Sequence, residues 1–171
     1  MNDIFNKKDI PKFLFILIIF LVALAALSLG INIQLKYGYY CSVTVGHSME
    51  KTLNDKSKLL MKKYTGRILE RGDIISFNIY TDGEKHTVIK RIIALPNEVI
   101  NIKGNQVYIN NQLLDEEYAY YSKSSEDNLI LTLNENEYFV MGDNRCDSLD
   151  SRIFGAIPKD IILDTLVRYK N

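Results

Sequence analysis

The chain has 171 residues, enough for one domain, and its 21 basic and 21 acidic residues give a formal net charge of zero. This balance gives no indication of the concentrated basic face that a nucleic-acid-binding protein presents. The two cysteines, Cys41 and Cys146, lack the paired spacing of a metal site. We therefore predict no metal site and two free thiols, with a Cys41–Cys146 disulfide as the alternative.

The first element is an apolar run at residues 13–33. It reads FLFILIIFLVALAALSLGINI, 21 residues without a charge. At about 1.5 Å per residue these would form a helix of about 32 Å, which matches a hydrocarbon core of about 30 Å. We predict a single transmembrane helix at 13–33, preceded by a short segment at 1–12.

Flanking charges predict the orientation of this helix. Lys7, Lys8 and Lys12 precede it, and only Lys36 follows closely. The positive-inside rule then places residues 1–12 in the cytoplasm and residues 34–171 outside the cell. The alternative is a cleaved secretory signal with Ala23-Leu24-Ala25 as its small-residue site. That site lies inside the apolar run, so we favour an uncleaved anchor in the cell membrane.

The rest of the chain is typical of a mainly β domain. Alternating and β-branched segments separated by turn residues predict short strands at 41–45, 59–61, 74–80, 85–95, 99–103, 106–109, 129–133, 138–141 and 166–169. Asp82-Gly83 predicts a hairpin, and the polar, acidic stretch 115–128 predicts a mobile loop. We expect an antiparallel, barrel-like domain or a pair of sheets at 34–171.

Ser48 is the first candidate for chemistry. The strand predicted at 41–45 ends at Gly46, which places Ser48 on a polar turn. Most serines in such turns are solvated loop residues. Ser48 becomes a candidate nucleophile only if another segment supplies a base.

Lys90 is the candidate base. On a strand it shares a face with Val88 and Ile92. A lysine among such residues either extends its ammonium to solvent or loses its charge. Lowering its pKa from about 10.4 to about 8 requires about 3 kcal/mol, which burial can supply. A neutral lysine amine can accept the proton of a serine hydroxyl.

The two histidines are alternative bases. His47 adjoins Ser48, and because adjacent side chains diverge it is badly placed. His86 lies four residues before Lys90 on the same strand face. A Ser48–His86–Asp triad is therefore the second mechanistic hypothesis.

A polar loop follows the strand at 138–141. Residues 141–152 read MGDNRCDSLDSR, which combines carboxylates, hydroxyls and guanidinium groups. A serine hydroxyl here could orient a neutral lysine amine, and an Asp–Arg pair could fix the loop. The alternative is a solvated acidic turn.

Four motifs occur in order behind the apolar run: Gly-x-Ser-Met-x-x-Thr-Leu, Arg-Gly-Asp-Ile, Lys-Arg-Ile-Ile-Ala-Leu-Pro and Gly-Asp-Asn-Arg-x-x-Ser-x-Asp-Ser-Arg-x-Phe-Gly. Together they resemble the bacterial type I signal peptidases that use a Ser/Lys dyad, and the likeness covers essentially the whole chain. The resemblance implies Ser48 as nucleophile and Lys90 as general base. It also implies Ser148 as the hydroxyl that orients Lys90, Asp150 and Arg152 as a supporting ion pair, and Asp143 and Arg91 as structural residues.

The chain departs from the family pattern in the nucleophile motif. Lys51 stands where the family normally has a proline, whose ring would fix φ near −65°. Gly46 stands where some members have an oxyanion-hole serine, so the resemblance implies a hole built from the Ser48 N–H and the Gly46 region. Cys146 interrupts a stretch that is usually acidic. The interval from Lys90 to Gly142 is 142 − 90 = 52 residues, short for the family.

The resemblance implies a membrane-anchored serine endopeptidase that removes signal peptides from exported preproteins, without a metal or other cofactor and without nucleic acid. Its partners would be membrane lipid and preproteins emerging from the secretion machinery. The substrate would pair as an extended strand with 41–45 and part of 74–85. Val43, Val45 and Met49 would contact its small side chains.

Three alternatives remain open from the sequence. The enzyme could be dedicated to one client, such as a pilin or another surface protein. It could be a weakly active relative that assists fibre assembly. The self-cleaving repressor peptidases share the Ser/Lys logic, but this chain has an apolar run instead of a DNA-binding region.

Overall fold

The structure is a computed structural model that describes residues 10–171, and it describes side chains for residues 12–32 and 38–171. The first element is helix α1, Ile10–Tyr37. Its segment Lys12–Asn32 has a mean hydropathy of 3.0 and is long and apolar enough to cross a membrane. The predicted cytoplasmic segment 1–12 lies mostly outside the described residues, as do Lys7 and Lys8.

Residues 40–171 form a compact unit separate from the helix. The first strand begins one residue before this unit, at Tyr39. The strands are β1 (Tyr39–Val43), β2 (Lys58–Lys63), β3 (Ile74–Thr81), β4 (Glu84–Ala94), β5 (Val99–Lys103), β6 (Gln106–Ile109), β7 (Gln112–Leu113), β8 (Asn128–Thr132), β9 (Glu137–Met141), β10 (Ile157–Pro158) and β11 (Ile162–Lys170). A one-turn helix α2 spans Ser151–Phe154, and a 3₁₀ turn spans Lys159–Ile161.

The strands form two antiparallel sheets. The larger has the order β1-β2-β11-β3-β4-β9-β10 and the smaller the order β7-β6-β5-β8. This confirms the mainly β prediction, as two sheets. The pairing of β3 with β4 is continuous from Ile74↔Arg91 to Thr81↔Glu84. The predicted hairpin turn is present, with positive φ of 54° at Asp82 and 81° at Gly83, as a two-residue turn of this kind requires.

Three apolar clusters stabilise these sheets. One joins β4 and β9 of the larger sheet to β5 and β6 of the smaller and includes the fully buried Ile100 and Phe139. A second, around Phe77 and Ile92, lies against β10 and α2. The third contains Met49, Leu53, Leu59, Met61 and Ile74. The third cluster fixes the segment that follows β1.

The structure corrects some predicted boundaries. The first strand covers 39–43 instead of 41–45, because the chain leaves the strand at Thr44 and bonds across to the segment at 54–57. The sequence patterns did not predict the short elements β7, α2 and β10. Elements of two to four residues are too short to show a hydrophobic period.

Candidate active site

The nucleophile loop, residues 44–53, carries Ser48. Met49 and Leu53 are 4% and 1% exposed in the third apolar cluster. The Leu53 N–H donates to the Met49 carbonyl at 2.8 Å. Two buried side chains close to Ser48 therefore fix a loop that sequence alone would describe as solvated.

Lys90 meets Ser48 from the middle of β4. Its Nζ lies 2.6 Å from Ser48 Oγ, and the lysine is only 3% exposed. Burial lowers the pKa of Lys90 to about 8, although the carboxylates of Asp150 and Asp143 oppose this shift. The pair therefore has the geometry and proton affinity of a nucleophile with its base.

Neither histidine is placed to serve as the base. His86 is exposed and pairs with Ile79 in the β3–β4 hairpin. Four residues along a strand separate it from Lys90 by about 13 Å. The His47 ring Nδ1 lies 2.7 Å from Glu50 Oε1, and this hydrogen bond raises the pKa of His47. The structure favours Lys90 over the triad hypothesis.

The catalytic loop, residues 142–150, contacts the nucleophile loop directly. The Asn144 N–H donates to the Ser48 carbonyl at 3.1 Å, and Asn144 Nδ2 donates to the His47 carbonyl at 3.2 Å. A β-carbon at Gly142 would collide with the Ser48 carbonyl oxygen and with Ser148 Oγ. Only glycine allows the two loops to approach this closely.

Arg91 and Asp143 form a two-point ion pair behind the dyad. Arg91 Nε and Nη2 donate to the two Asp143 carboxylate oxygens at 2.8 and 2.6 Å. Arg91 Nη1 also donates to the Gly72 carbonyl at 2.9 Å. Asp143 has no exposed surface. The pair joins β4, one residue after Lys90, to the start of the catalytic loop.

Asp150 and Arg152 close the other end of this loop. Asp150 is fully buried and caps α2 by accepting from the Arg152 N–H at 3.2 Å. It also accepts from the Gly142 N–H at 3.0 Å and from Arg152 Nε at 2.9 Å. Arg152 extends to Asp127, 2.9 Å away. This network fixes the path of the catalytic loop.

Ser148 lies against Gly142, beside the nucleophile. Its hydroxyl oxygen is buried and has no hydrogen-bond partner among the described residues. A buried hydroxyl without a partner costs about 1–3 kcal/mol. The structure thus brings Ser148 to the site without a bond to Lys90, and its orienting role stays a prediction.

The candidate oxyanion donors differ in their surroundings. Among the residues that the structure describes, none accepts a hydrogen bond from the Ser48 N–H. The Gly46 N–H, by contrast, donates to Asp55 Oδ1 at 3.0 Å. Ser48 therefore offers a free main-chain donor, and Gly46 offers one that is already occupied.

A groove of about 240 Å³ opens beside Ser48. Val43, Val45 and Met49 line it, as do the polar side chains of Ser42, Thr44, Ser76 and Thr87. Val45 is 95% exposed whereas Met49 is buried. The three residues predicted to contact substrate thus lie in one surface depression next to the nucleophile.

The sequence reasoning missed part of the surroundings of the site. Arg145 is 2% exposed, and its guanidinium donates to both carboxylate oxygens of Glu116 at 2.9 and 2.6 Å. Tyr118 and Tyr121 also contact this guanidinium. The prediction of a mobile loop at 115–128 is wrong for residues 116–121, which contact the catalytic loop. The sequence showed only an arginine in the Gly-Asp-Asn-Arg motif, and its burial, which requires a carboxylate partner, is visible only in the structure.

Both cysteines are free thiols. Cys41 is an exposed free thiol and Cys146 a half-exposed one, as predicted. The Cys146 thiol has a lowered pKa, chiefly because the Lys123 main chain hydrogen-bonds it.

Comparison with known proteins places the chain among peptidases. A family model described as signal peptidase, peptidase S26, matches residues 12–169. The chain is similar to signal peptidase I U of Bacillus subtilis (strain 168), at 35% identity over 178 residues, 96% of this chain and 91% of the relative. It is also similar to a signal peptidase I of Bacillus amyloliquefaciens, at 37% identity over 64% of this chain. That alignment spans 63% of the relative, less than two thirds of its length.

A solved structure supports the same relationship. The crystal structure of a signal peptidase I from Enterococcus faecalis V583 matches with a TM-score of 0.51 at 32% sequence identity. The match covers 59% of this chain and 98% of that chain.

Proposed function

Because the chain belongs to the signal peptidase family, peptidase S26, we propose that it is a serine endopeptidase that removes signal peptides from exported preproteins with Ser48 and Lys90 as its catalytic dyad. One observation carries the assignment of the dyad. Lys90 Nζ lies 2.6 Å from Ser48 Oγ, at the edge of the groove. This distance suits direct proton transfer.

The reaction begins with neutral Lys90. The Ser48 hydroxyl donates its proton to Nζ while Oγ attacks the scissile carbonyl carbon and forms the Oγ–C bond. The resulting ammonium returns the proton to the leaving amine as the C–N bond breaks. Neutral Lys90 then takes a proton from water, whose oxygen attacks the acyl carbon. As the Oγ–C bond breaks, the ammonium returns this proton to Ser48 Oγ, which restores the serine hydroxyl and the neutral lysine. No proton is gained or lost over the cycle.

The lowered pKa makes this cycle workable near neutral pH. With a pKa of about 8, about a tenth of Lys90 is neutral at pH 7, against less than about a thousandth for a solvated lysine. Burial beside the apolar cluster supplies this difference. The carboxylates of Asp143 and Asp150 limit it, because they favour the ammonium.

The Ser48 N–H donates to the developing oxyanion, since it is free in the structure. Gly46 completes the hole when its N–H turns from Asp55 to the substrate. Ser148 positions Lys90, and its unpartnered hydroxyl beside Gly142 supports this role. Asp150 with Arg152, and Asp143 with Arg91, support the loop that carries Ser148.

The substrate lies extended in the groove. β1 is an edge strand of the larger sheet, and an edge strand can accept one more chain by main-chain pairing. Of the second predicted segment, 74–85, residues 75–77 are paired with both β4 and β11. Pairing with substrate is therefore confined to the distal half of the β3–β4 hairpin. A groove of about 240 Å³ with Val43 and Met49 in its wall favours small apolar side chains.

Helix α1 anchors the enzyme in the cell membrane as a single span. Residues 1–12 lie in the cytoplasm, 13–33 cross the bilayer, and 34–171 form the peptidase domain outside. The length and hydropathy of Lys12–Asn32 support the anchor, and the lysines before it support the orientation. Preproteins emerging from the secretion machinery would then reach the groove outside the cell.

Mass spectrometry of a co-expressed preprotein tests this function. The full chain should release the signal peptide at one bond after a small residue, and the Ser48→Ala variant should release none. Intact preprotein with both proteins would contradict the proposal and favour the assembly-factor alternative. A parallel assay of several signal peptides and one pilin-type client separates a general enzyme from a dedicated one.

A further inference from the structure

Residues 116–121, here called the tyrosine strap, run along the back of the catalytic loop. Tyr120 pairs with Asn144 as an isolated parallel β-bridge. The Tyr120 N–H donates to the Asp143 carbonyl at 2.7 Å, and the Arg145 N–H donates to the Tyr120 carbonyl at 2.9 Å. The main chain of the strap is thus joined to the main chain of the catalytic loop.

The strap also contacts the nucleophile loop through Lys51. Lys51 Nζ lies 4.1 Å from the centroid of the Tyr120 ring, within the range of a cation–π interaction. Lys51 is three residues after Ser48, at the position where the sequence motif departs from proline. The Lys51–Tyr120 contact therefore lies at the position where the rigid ring of a proline would otherwise restrain the turn.

A second tyrosine contacts the strand that carries the base. The Arg91 guanidinium lies 4.1 Å from the centroid of the Tyr118 ring. Arg91 follows Lys90 on β4, and the Nε and Nη2 edge of its guanidinium donates to Asp143. Tyr118 thereby covers the arginine next to Lys90.

The third contact is with Arg145 of the catalytic loop. Glu116 binds its guanidinium at two points, and Tyr121 Oη accepts from Nη1 at 3.0 Å. Three cations from three different catalytic segments thus meet one six-residue segment: Lys51 from the nucleophile loop, Arg91 from β4 and Arg145 from the catalytic loop.

We propose that the tyrosine strap is a positioning element that sets the alignment of Ser48 with Lys90, and that Lys51 on Tyr120 is its connection to the nucleophile. The proposal rests on the proposed Ser48–Lys90 function. Neither Lys51 nor the tyrosines touch the reacting atoms. They act by restraining the turn after Ser48, and so they hold the Ser48 side chain that lies 2.6 Å from Lys90 Nζ and limits the access of water to it.

This role predicts a specific kinetic signature. An exposed cation–π contact corresponds to a factor of about two to five in an equilibrium. Loss of the Lys51–Tyr120 contact should therefore lower kcat about two- to fivefold and leave KM unchanged. It should also move the acidic limb of the pH–kcat profile to higher pH, because water admitted near Lys90 favours its ammonium.

The test compares matched variants of the full chain in detergent micelles. Lys51→Met removes the charge at similar length, and Tyr120→Leu removes the ring face, whereas Lys51→Arg and Tyr120→Phe retain the interaction. Tyr108→Leu is the control, because Tyr108 faces Lys103 at 5.9 Å in the smaller sheet and belongs to no catalytic segment. Thermal midpoints are measured for every variant. Lys51 is exposed, so its variants are expected to fold even if a strap variant does not.

We expect the two removal variants to lose kcat and shift the acidic limb. Their double variant should lose little more than either alone, because both remove one contact. The arginine, phenylalanine and Tyr108 variants should match the parent enzyme. Unchanged kcat and an unmoved limb in Lys51→Met would overturn the proposal, whatever the thermal midpoints show.

A second readout separates this proposal from the proposed function. The rate at which a p-nitrophenyl ester acylates Ser48, with release of p-nitrophenolate, requires the dyad but no signal peptide. If no preprotein is cleaved but acylation is slower in Lys51→Met, the strap assignment stands and the signal-peptidase assignment fails. If preproteins are cleaved and acylation is equal in parent and Lys51→Met, the strap assignment fails alone. Absence of acylation in the parent enzyme would contradict both.

Discussion

The main-chain N–H of Asn144 donates to the carbonyl oxygen of Ser48 at 3.1 Å. This bond joins the residue proposed to attack the substrate to the loop that carries Ser148 and Asp150. Because this bond and the one from Asn144 Nδ2 to the His47 carbonyl at 3.2 Å both join the two loops, displacement of one loop displaces the other. Several properties of the site follow from this coupling.

The closest approach of the two loops is at Gly142. In Gly142→Ala the new methyl group would overlap the Ser48 carbonyl oxygen and Ser148 Oγ, so the backbone must shift. We expect a loss of stability of about 1–3 kcal/mol and a loss of activity of tenfold or more. Preprotein cleavage and calorimetry measure the two effects.

Gly30→Ala is the matched control, because a β-carbon at Gly30 meets nothing within 4 Å. Alanine is also the better helix former by about 1 kcal/mol. This variant should cleave at the parental rate. Parental activity in Gly142→Ala would show that the loops can separate without loss of alignment.

Ser148 has an unpartnered, buried hydroxyl. Its replacement by alanine should therefore affect stability and activity in opposite directions. Ser148→Ala removes a desolvated oxygen that has no bond to lose, so the thermal midpoint should stay level or rise. Activity should fall, because nothing then orients the Lys90 amine. Full activity in this variant would remove Ser148 from the proposed site.

Asp150 should be the most important carboxylate for stability. It is fully buried and accepts from the Gly142 N–H and the Arg152 guanidinium. Asp150→Ala leaves these donors without their acceptor and should cost about 3–5 kcal/mol in the free energy of unfolding. The midpoint temperature of thermal unfolding should fall by about 2–4 °C for each kcal/mol of stability lost.

Asp127→Ala offers the comparison, since Asp127 is the other carboxylate on Arg152 and its side chain is 38% exposed. An exposed pair of this kind contributes about 0–1 kcal/mol. Equal losses in the two variants would contradict the assignment of Asp150 as the residue that fixes the loop.

Lys90 should leave a signature in the pH dependence of stability. Its pKa is lowered to about 8 in the folded chain, whereas an unfolded lysine titrates near 10.4. Between these values the unfolded state binds more protons, so the free energy of unfolding rises with pH. Below pH 8 the full cost of the buried ammonium is present, and above about pH 10.4 it is absent.

The comparison variant for this effect is Lys90→Met, which has no titrating group at the position. The difference in unfolding free energy between the parent and Lys90→Met should change by about 3 kcal/mol over this window. Chemical denaturation at several pH values measures it. A difference that is flat from pH 8 to 10.4 would mean that Lys90 titrates normally.

The prediction of the Ser48–Lys90 dyad rests on two signals. A lysine at the centre of an apolar strand either extends its head group or loses its charge, and four ordered motifs favoured the second outcome. The hairpin at Asp82-Gly83 was equally predictable, because few residue pairs tolerate two consecutive positive φ values. Each of these signals is contained in one short stretch of consecutive residues.

The tyrosine strap could not be predicted in the same way. Glu116 and Arg145 are 29 positions apart, and the strap has no helical or strand period. Its polar and acidic composition is also that of a solvated loop. The contacts with Lys51 and Arg91 become visible only when the fold brings three catalytic segments together. The hydrogen bond from the Gly46 N–H to Asp55 was not predictable either, because Asp55 comes from the next turn of the chain.

The central claim is that Lys90 deprotonates Ser48. The most direct measurement is the pH profile of preprotein cleavage by the full chain and by Ser48→Ala, Lys90→Ala and His86→Ala. We predict an acidic limb centred near pH 8 in the parent enzyme, no cleavage in the first two variants, and a parental profile in His86→Ala. Substantial cleavage by Lys90→Ala, or an acidic limb near pH 6 that disappears in His86→Ala, would contradict the dyad.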